Sequence, residues 1–139
     1  MTDKSKQPTL TPKQLMARVL FSETKDLDDA IAIANVIKNR LKRSERFGET
    51  LEEVIYAPSQ FSGVNSPEWK KVESGKLTPE EQAIYNQMEQ VSEGVLINSI
   101  SDTTGGADHY YNPEIANPSW GKIYPETYKT KYHRYLKEK

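Results

Sequence analysis

Cysteine is absent from the 139 residues, and histidine occurs only twice, at His109 and His133. Without thiolates there is neither a disulfide framework nor a sulfur-ligated metal site. The two histidines form no i, i+4 pair and no HExxH spacing, so they make a poor ligand set, and no metal or cofactor is expected. Gly105-Gly106 lacks the following Lys-Ser/Thr of a phosphate loop, and no serine sits in a nucleophile-elbow pattern, so nucleotide chemistry has no support and a serine triad has no signature. Long apolar runs are missing too. No segment approaches the ~20 residues that span a bilayer, and residues 1–8 are too polar for a signal peptide. The expectation is a protein made soluble in the cytoplasm without membrane insertion, which meets a target outside only after release or by another export route. Nor does one charge dominate: 19 basic against 20 acidic side chains leave a net charge of −1, which argues against a dedicated nucleic-acid binder. The locally basic stretch 129–139 reads as a solvated face, or as an aid in approaching an anionic polymer.

Hydrophobic residues make up 35% of the chain and mean hydropathy is −0.79, so a core must be assembled economically. The length suits one domain, here residues 11–139 after a loose polar lead-in at 1–10, and a monomer is the default. Thr11, Pro12 and Gln14 supply an N-cap, a proline at N1 and the far member of a capping box, which starts a first helix ending near Ser22 or Thr24. A second helix is expected after Asp28, apolar nearly all round at 30–34 and continued by Ile33, Ile37 and Leu41, with Asn35 and Asn39 as a polar i, i+4 pair. Thr50 and Glu53 form another capping box, opening a short helix that stops before Pro58. Ser66 and Pro67 start a brief turn carrying Trp69. Thr78, Pro79 and Glu81 repeat the cap logic ahead of a long helix through Ile84, Met88, Val91 and Val95. From 98 to 135 no helical stripe lasts. A short strand is expected at 107–111 and a terminal strand or irregular segment at 128–135. The fold class is α+β, mainly helical, with an irregular aromatic-rich face.

Glu23 breaks the first helix's pattern. Leu15, Val19 and Glu23 fall at i, i+4 and i+8, with Met16 and Leu20 beside them, so a carboxyl group points where the core should be. There it either stays protonated above its usual pKa or finds a donor, and a position in the last helical turn adds the negative end of the dipole. Such a carboxyl is able to give a proton away, as the acid of a glycosidase does. The alternative is that Glu23 lies past the helix end, solvated or paired with Lys25.

Three segments together resemble the cell-wall hydrolase family typified by the spore-cortex-lytic enzymes, the SleB type. They are Met16-Ala17-Arg18-Val19-Leu20-Phe21-Ser22-Glu23 with Ala34-Asn35-Val36-Ile37-Lys38-Asn39-Arg40; then Val54-Ile55-Tyr56-Ala57-Pro58-Ser59-Gln60-Phe61-Ser62; and last Gly106-Ala107-Asp108-His109-Tyr110-Tyr111-Asn112-Pro113, followed by Pro118, Trp120 and His133-Arg134-Tyr135. The resemblance covers about 14–135 in order. It departs at Thr24-Lys25-Asp26, in the polar stretch 63–77, and at Lys131-Tyr132, where the family has a glycine.

The resemblance implies a lysozyme-like domain with a small β region flanking a glycan groove. It also implies cleavage of the β-1,4 bond between N-acetylmuramic acid and N-acetylglucosamine in peptidoglycan, often by lytic transglycosylation, and its catalytic glutamate falls on Glu23. One carboxyl suffices when the muramoyl 6-hydroxyl is the nucleophile: Glu23 acts as acid, then as base, and leaves a 1,6-anhydro end. A hydrolase wants a second carboxylate, for which Asp26, Asp102 and Glu114 are available. Asp102, before Thr103-Thr104-Gly105-Gly106, is preferred among them, although turn formation by Asp is common at such a spot. Gln60, Ser62, Tyr110, Tyr111, Asn112 and Trp120 are expected along the groove, where sugars stack on aromatics and bind amides and hydroxyls. The two tyrosines either contact ligand or pack, and Trp120 also reads as a plug. His109 and His133 read as structural or glycan-binding. Asn39 and Arg40 read as core hydrogen-bonders. The rival class is a peptidoglycan-binding or virion structural module with this fold and no activity, though such a binder has no use for an acid at Glu23. An enzyme of this kind suits phage lysis, virion-borne wall opening or bacterial export.

Overall fold

The computed structural model describes residues 10–57 and 61–138. Most of the lead-in expected at 1–10, and Gln60, lie outside those residues. All three capping boxes form, at Thr11/Gln14, Thr50/Glu53 and Thr78/Glu81, and they open α1 (Pro12–Glu23), α4 (Leu51–Tyr56) and α6 (Pro79–Leu96). The second helix, α2 (Leu27–Leu41), starts earlier than Asp28 because Asp26 is its N-cap, accepting from the Asp29 N–H at 2.9 Å. The turn expected at Ser66 is a full helix, α5 (Pro67–Ser74), capped by Ser66 and closed by Gly75 in the left-handed region. A one-turn helix, α3 (Ser44–Phe47), follows α2; it buries none of its own residues and leaves no apolar stripe to read.

The core lies between α1, α2 and α6. Met16, Val19, Leu20 and Phe21 of α1, Ile33 and Ile37 of α2 and Met88 of α6 are wholly buried, each side chain contributing about 1.5–3 kcal/mol. The C-terminal third forms a small antiparallel sheet in the order β1 (His109–Tyr111), β3 (Arg134–Leu136), β2 (Glu126–Lys129). Tyr110 stands opposite Tyr135 across β1 and β3, and a bulge between Glu126 and Tyr128 interrupts β2.

Polar side chains on α2 tie this sheet to the helices. Near its start, the buried Asp29 accepts from the Thr130 hydroxyl (2.8 Å), the His133 ring (2.7 Å) and the Tyr135 hydroxyl. Further along, Asn39 donates to the Ala107 carbonyl (2.9 Å) and Arg40 to the Asp108 carbonyl (2.7 Å), as expected of core hydrogen-bonders. Asp108 is itself buried and takes Arg43 (2.7 Å), His109 (2.9 Å) and the Glu138 N–H (2.8 Å). Burial works against its charge, but those hydrogen bonds outweigh it and hold the carboxyl below its ordinary value of 3.8. A depressed folded-state pKa gives stability that is present above the unfolded value and is lost as pH falls through the folded one. The denaturant midpoint is therefore expected to drop below about pH 4, and less so in Asp108→Asn. Asp108→Ala should cost about 2–4 kcal/mol at pH 7, towards the lower end for a buried ion network because Arg43 is partly solvated.

Candidate active site

α1 ends at Glu23 because Thr24 turns extended (φ −157°, ψ 159°), which leaves the glutamate on the last turn with its side chain free of the helix. The carboxyl has found donors. Oε1 accepts from the Tyr110 hydroxyl at 2.5 Å, and Oε2 accepts from the Gly63 N–H at 2.5 Å, with Ser62 Oγ at 3.5 Å. Lys25 is not its partner: that ammonium pairs with Glu68 at 3.1 Å and lies 4.0 Å from the centre of the Phe21 ring.

Each donor is fixed from behind. β1 carries Tyr110, whose ring stacks on Tyr135 (5.6 Å between centroids, 24° between planes) and meets the edge of His133 (5.1 Å, 82°). Burial, then the adjacent Glu23, push the Tyr110 hydroxyl well up from its ordinary value, so it keeps its proton and donates it to the hydrogen bond. Gly63 approaches so closely that a Cβ there would overlap Glu23 Oε2 and sit 2.7 Å from the Ser22 Cβ.

Two cavities meet at this carboxyl. The first, about 490 Å³, runs from Glu23, Ser62 and His133 past Tyr110, Tyr111 and Asn112 to a far wall of Trp120, Tyr124, His109 and Arg46. A second, about 540 Å³, extends the other way over Ser22, Thr24, Lys25, Asp26 and Tyr132. Both share Glu23, Ser62, Asn112, Ile115 and His133, so the groove continues on either side of the Glu23 carboxyl. At the far wall Trp120 stacks on Tyr124 (6.0 Å, 19°) and meets Tyr111 edge-on (5.5 Å, 86°), and His109 is wedged 4.9 Å from Trp120 with its Nδ1 held by Asp108.

Ser62, His109, Tyr110, Tyr111, Asn112, Trp120 and His133 thus line the same groove as Glu23. Asp102 does not. Its Oδ1 accepts from the Thr104 N–H (2.7 Å) and hydroxyl (2.6 Å), and its Oδ2 from the Gly106 N–H (3.0 Å) and Asn39 (3.1 Å). It organises the Gly-Gly turn and faces a separate cavity beside Lys38 and Lys42, so the assignment to substrate or to the second-carboxylate role is corrected. Glu114 is exposed on a loop and lines neither cavity, whereas Asp26 lines the second while capping α2. Gly63 and Asp29 were not foreseen. The only sequence signal for Gly63 is a glycine directly after Phe61-Ser62, and Asp29 looks like an ordinary first-turn acid. Among the described residues no group of three or more His, Asp or Glu is placed to hold a metal ion, and no helix is long and apolar enough to cross a membrane.

The cell wall hydrolase family model matches residues 25–136, beginning just beyond Glu23. Among curated proteins, the spore cortex-lytic enzyme of Bacillus cereus is 29% identical over 128 residues, covering 89% of this chain and 43% of that protein. The spore cortex-lytic enzyme of Oceanobacillus iheyensis is 33% identical over 112 residues, covering 77% and 34%. The chain therefore spans less than half the length of these relatives. Among solved structures, the catalytic domain of the germination-specific lytic transglycosylase SleB from Bacillus anthracis superimposes with a TM-score of 0.68 at 26% identity, covering 95% of this chain and 98% of that one. The SleB catalytic domain from Bacillus cereus gives the same score and identity over 99% and 100%. The fold is lysozyme-like, as the resemblance implied.

Proposed function

Because the chain belongs to the cell wall hydrolase family, we propose that it cleaves the β-1,4 bond between N-acetylmuramic acid and N-acetylglucosamine in peptidoglycan strands, by lytic transglycosylation. The observation that carries this reading is a single carboxyl, Glu23, gripped by Tyr110 and Gly63 where two groove halves meet. A strand laid through both halves brings one glycosidic oxygen to Glu23. The acid protonates that oxygen, the C1–O4 bond breaks with oxocarbenium character, and the muramoyl 6-hydroxyl closes on C1. Glu23 regains the proton, leaving a 1,6-anhydro end. Two-carboxylate glycosidases need a second acid roughly 5–9.5 Å from the first. Asp102 is committed to its own turn, and Asp26, though it lines the second cavity, spends Oδ1 on the α2 cap, which favours a nucleophile supplied by the substrate.

Digestion of purified peptidoglycan with the protein, with released fragments identified by mass, tests this. Anhydro-muropeptides support the reading, reducing ends make the enzyme a hydrolase, and no release from several chemotypes favours a binding module. Tyr110→Phe keeps the ring stack on Tyr135 but removes the donor to Oε1. A hydrogen bond to a charged group contributes about 1.5–3 kcal/mol, so kcat should fall by about 10- to 100-fold with KM nearly unchanged. An unchanged rate of fragment release would show that Tyr110 does not hold the acid.

A further inference from the structure

We propose that His133 is the proton acceptor for the attacking hydroxyl and that Asp29, buried beneath it, holds the imidazole to that task. This rests on the reading above, in which Glu23 is the acid. His133 is the titratable side chain besides Glu23 that lines both cavities. Its Nδ1 lies 2.7 Å from Asp29 Oδ2, so the tautomer that satisfies the pair carries the proton on Nδ1 and leaves the lone pair on Nε2, the ring's remaining polar atom. Both oxygens of Glu23 already accept hydrogen bonds from Tyr110 and Gly63. The carboxyl is held for giving a proton towards the glycosidic oxygen, and a second acceptor at the junction relieves it of also taking the proton of the hydroxyl that attacks C1. The imidazole, packed against the Tyr110 ring, supplies one at the same junction.

Asp29 explains why an imidazole can take this proton. The carboxylate is fully buried, with hydrogen bonds from Thr130 and Tyr135 as well as His133. Burial works against its charge. Those donors keep it charged, and a fixed negative charge against Nδ1–H stabilises the imidazolium that forms at Nε2. In the step, Glu23 gives its proton to the leaving O4 as C1–O4 breaks. The attacking oxygen bonds to C1 and its O–H proton passes to Nε2. The imidazolium then returns that proton through cavity water to the Glu23 carboxylate, and both groups are reset. Asp29 is a positioning residue here, since it acts only through His133.

The test uses the full chain on peptidoglycan, after wild-type protein and Glu23→Gln have established cleavage and its dependence on the acid. A wild type that releases nothing overturns the cleavage reading and this proposal with it. With cleavage established, folded His133→Gly should lose about 10²-fold or more in kcat with KM within about twofold. Added imidazole should restore its rate at least about tenfold while leaving Glu23→Gln inactive. Asp29→Asn should lower kcat by roughly 10-fold alone and add nothing to His133→Gly, because the two act as one unit. If His133→Gly does not fold, His133→Gln decides by the same loss in kcat, since its amide still donates to Asp29 but cannot take a proton. A folded variant within about threefold of wild type, or a folded His133→Gly that imidazole raises by less than about threefold, overturns the proposal and leaves the cleavage reading standing. A loss seen in Asp26→Asn, which retains its cap, but absent from His133→Gln would overturn it as well and make Asp26 the base.

Discussion

Glu23→Gln is expected to lower peptidoglycan cleavage by about 10³-fold or more, to the limit of detection for fragment release, because loss of a positioned general acid costs about 10²–10⁴-fold. The amide fills the same volume, and its oxygen can still accept from Tyr110. Its NH₂ would then face the Gly63 N–H, donor against donor, where Oε2 now accepts. That mismatch costs about 1–3 kcal/mol. The packing of Leu15, Val19 and Leu20, which holds α1 in the core, is untouched, so the variant should fold with a melting temperature a few degrees lower. The check is release of soluble muropeptides together with a thermal melt. A folded Gln variant that still works within about tenfold of wild type would remove Glu23 from the chemistry, since no mechanism that needs its proton tolerates that much residual rate.

The helical frame was legible because its signals are local. A capping box and an N1 proline act within four residues, and α1, α4 and α6 begin where those residues stand. Glu23 was legible for the same reason: three positions of one stripe point it inward, and Leu15 and Val19 are buried as that stripe requires. Where two local meanings compete, pattern is a poor guide. Asp28 and Asp26 both suit a helix start, and only the hydrogen bond to the Asp29 N–H shows which one caps. Asp102 beside a Gly-Gly turn suits either a base or a turn-former, and four hydrogen bonds settle it as the latter.

What the sequence could not reveal is mostly long-range. Asp29 meets Thr130, His133 and Tyr135 across more than a hundred residues of chain, and nothing near Asp29 marks it as the anchor of a hairpin. β1 and β3 have three residues each, too few for alternation to register. Their pairing is decided by the Tyr110–Tyr135 stack and by the α2 side chains that hold the Ala107 and Asp108 carbonyls. His109 and His133 look equivalent in sequence, yet they differ by neighbour. Asp108 turns the first towards a clamp on the C-terminal residues, and Asp29 holds the second at the junction that Glu23 also lines.

Gly63→Ala should cost about 10²-fold in kcat while leaving the protein folded, which makes it the most informative single methyl group to add. The residue is not in the left-handed region, so alanine brings no backbone strain. Its Cβ would instead land on Glu23 Oε2, 2.7 Å from the Ser22 Cβ and 3.2 Å from the Ser22 carbonyl carbon. The backbone of α1 cannot retreat without disturbing Phe21 and Leu20 behind it, both fully buried, so the carboxyl must swing away and the 61–66 loop must shift off the Ser22 Cβ. That movement breaks the bond from the Gly63 N–H and leaves Tyr110 as the remaining support. A displacement of about 1 Å in a catalytic group is enough for a hundredfold loss. The signature that separates displacement from general damage is non-additivity: combined with Glu23→Gln, Gly63→Ala should cost little further activity, because the group it displaces is already disarmed. A Gly63→Ala protein that cleaves at the wild-type rate would mean that the 61–66 loop does not grip the acid, and the case for a preset Glu23 would then rest on Tyr110 alone.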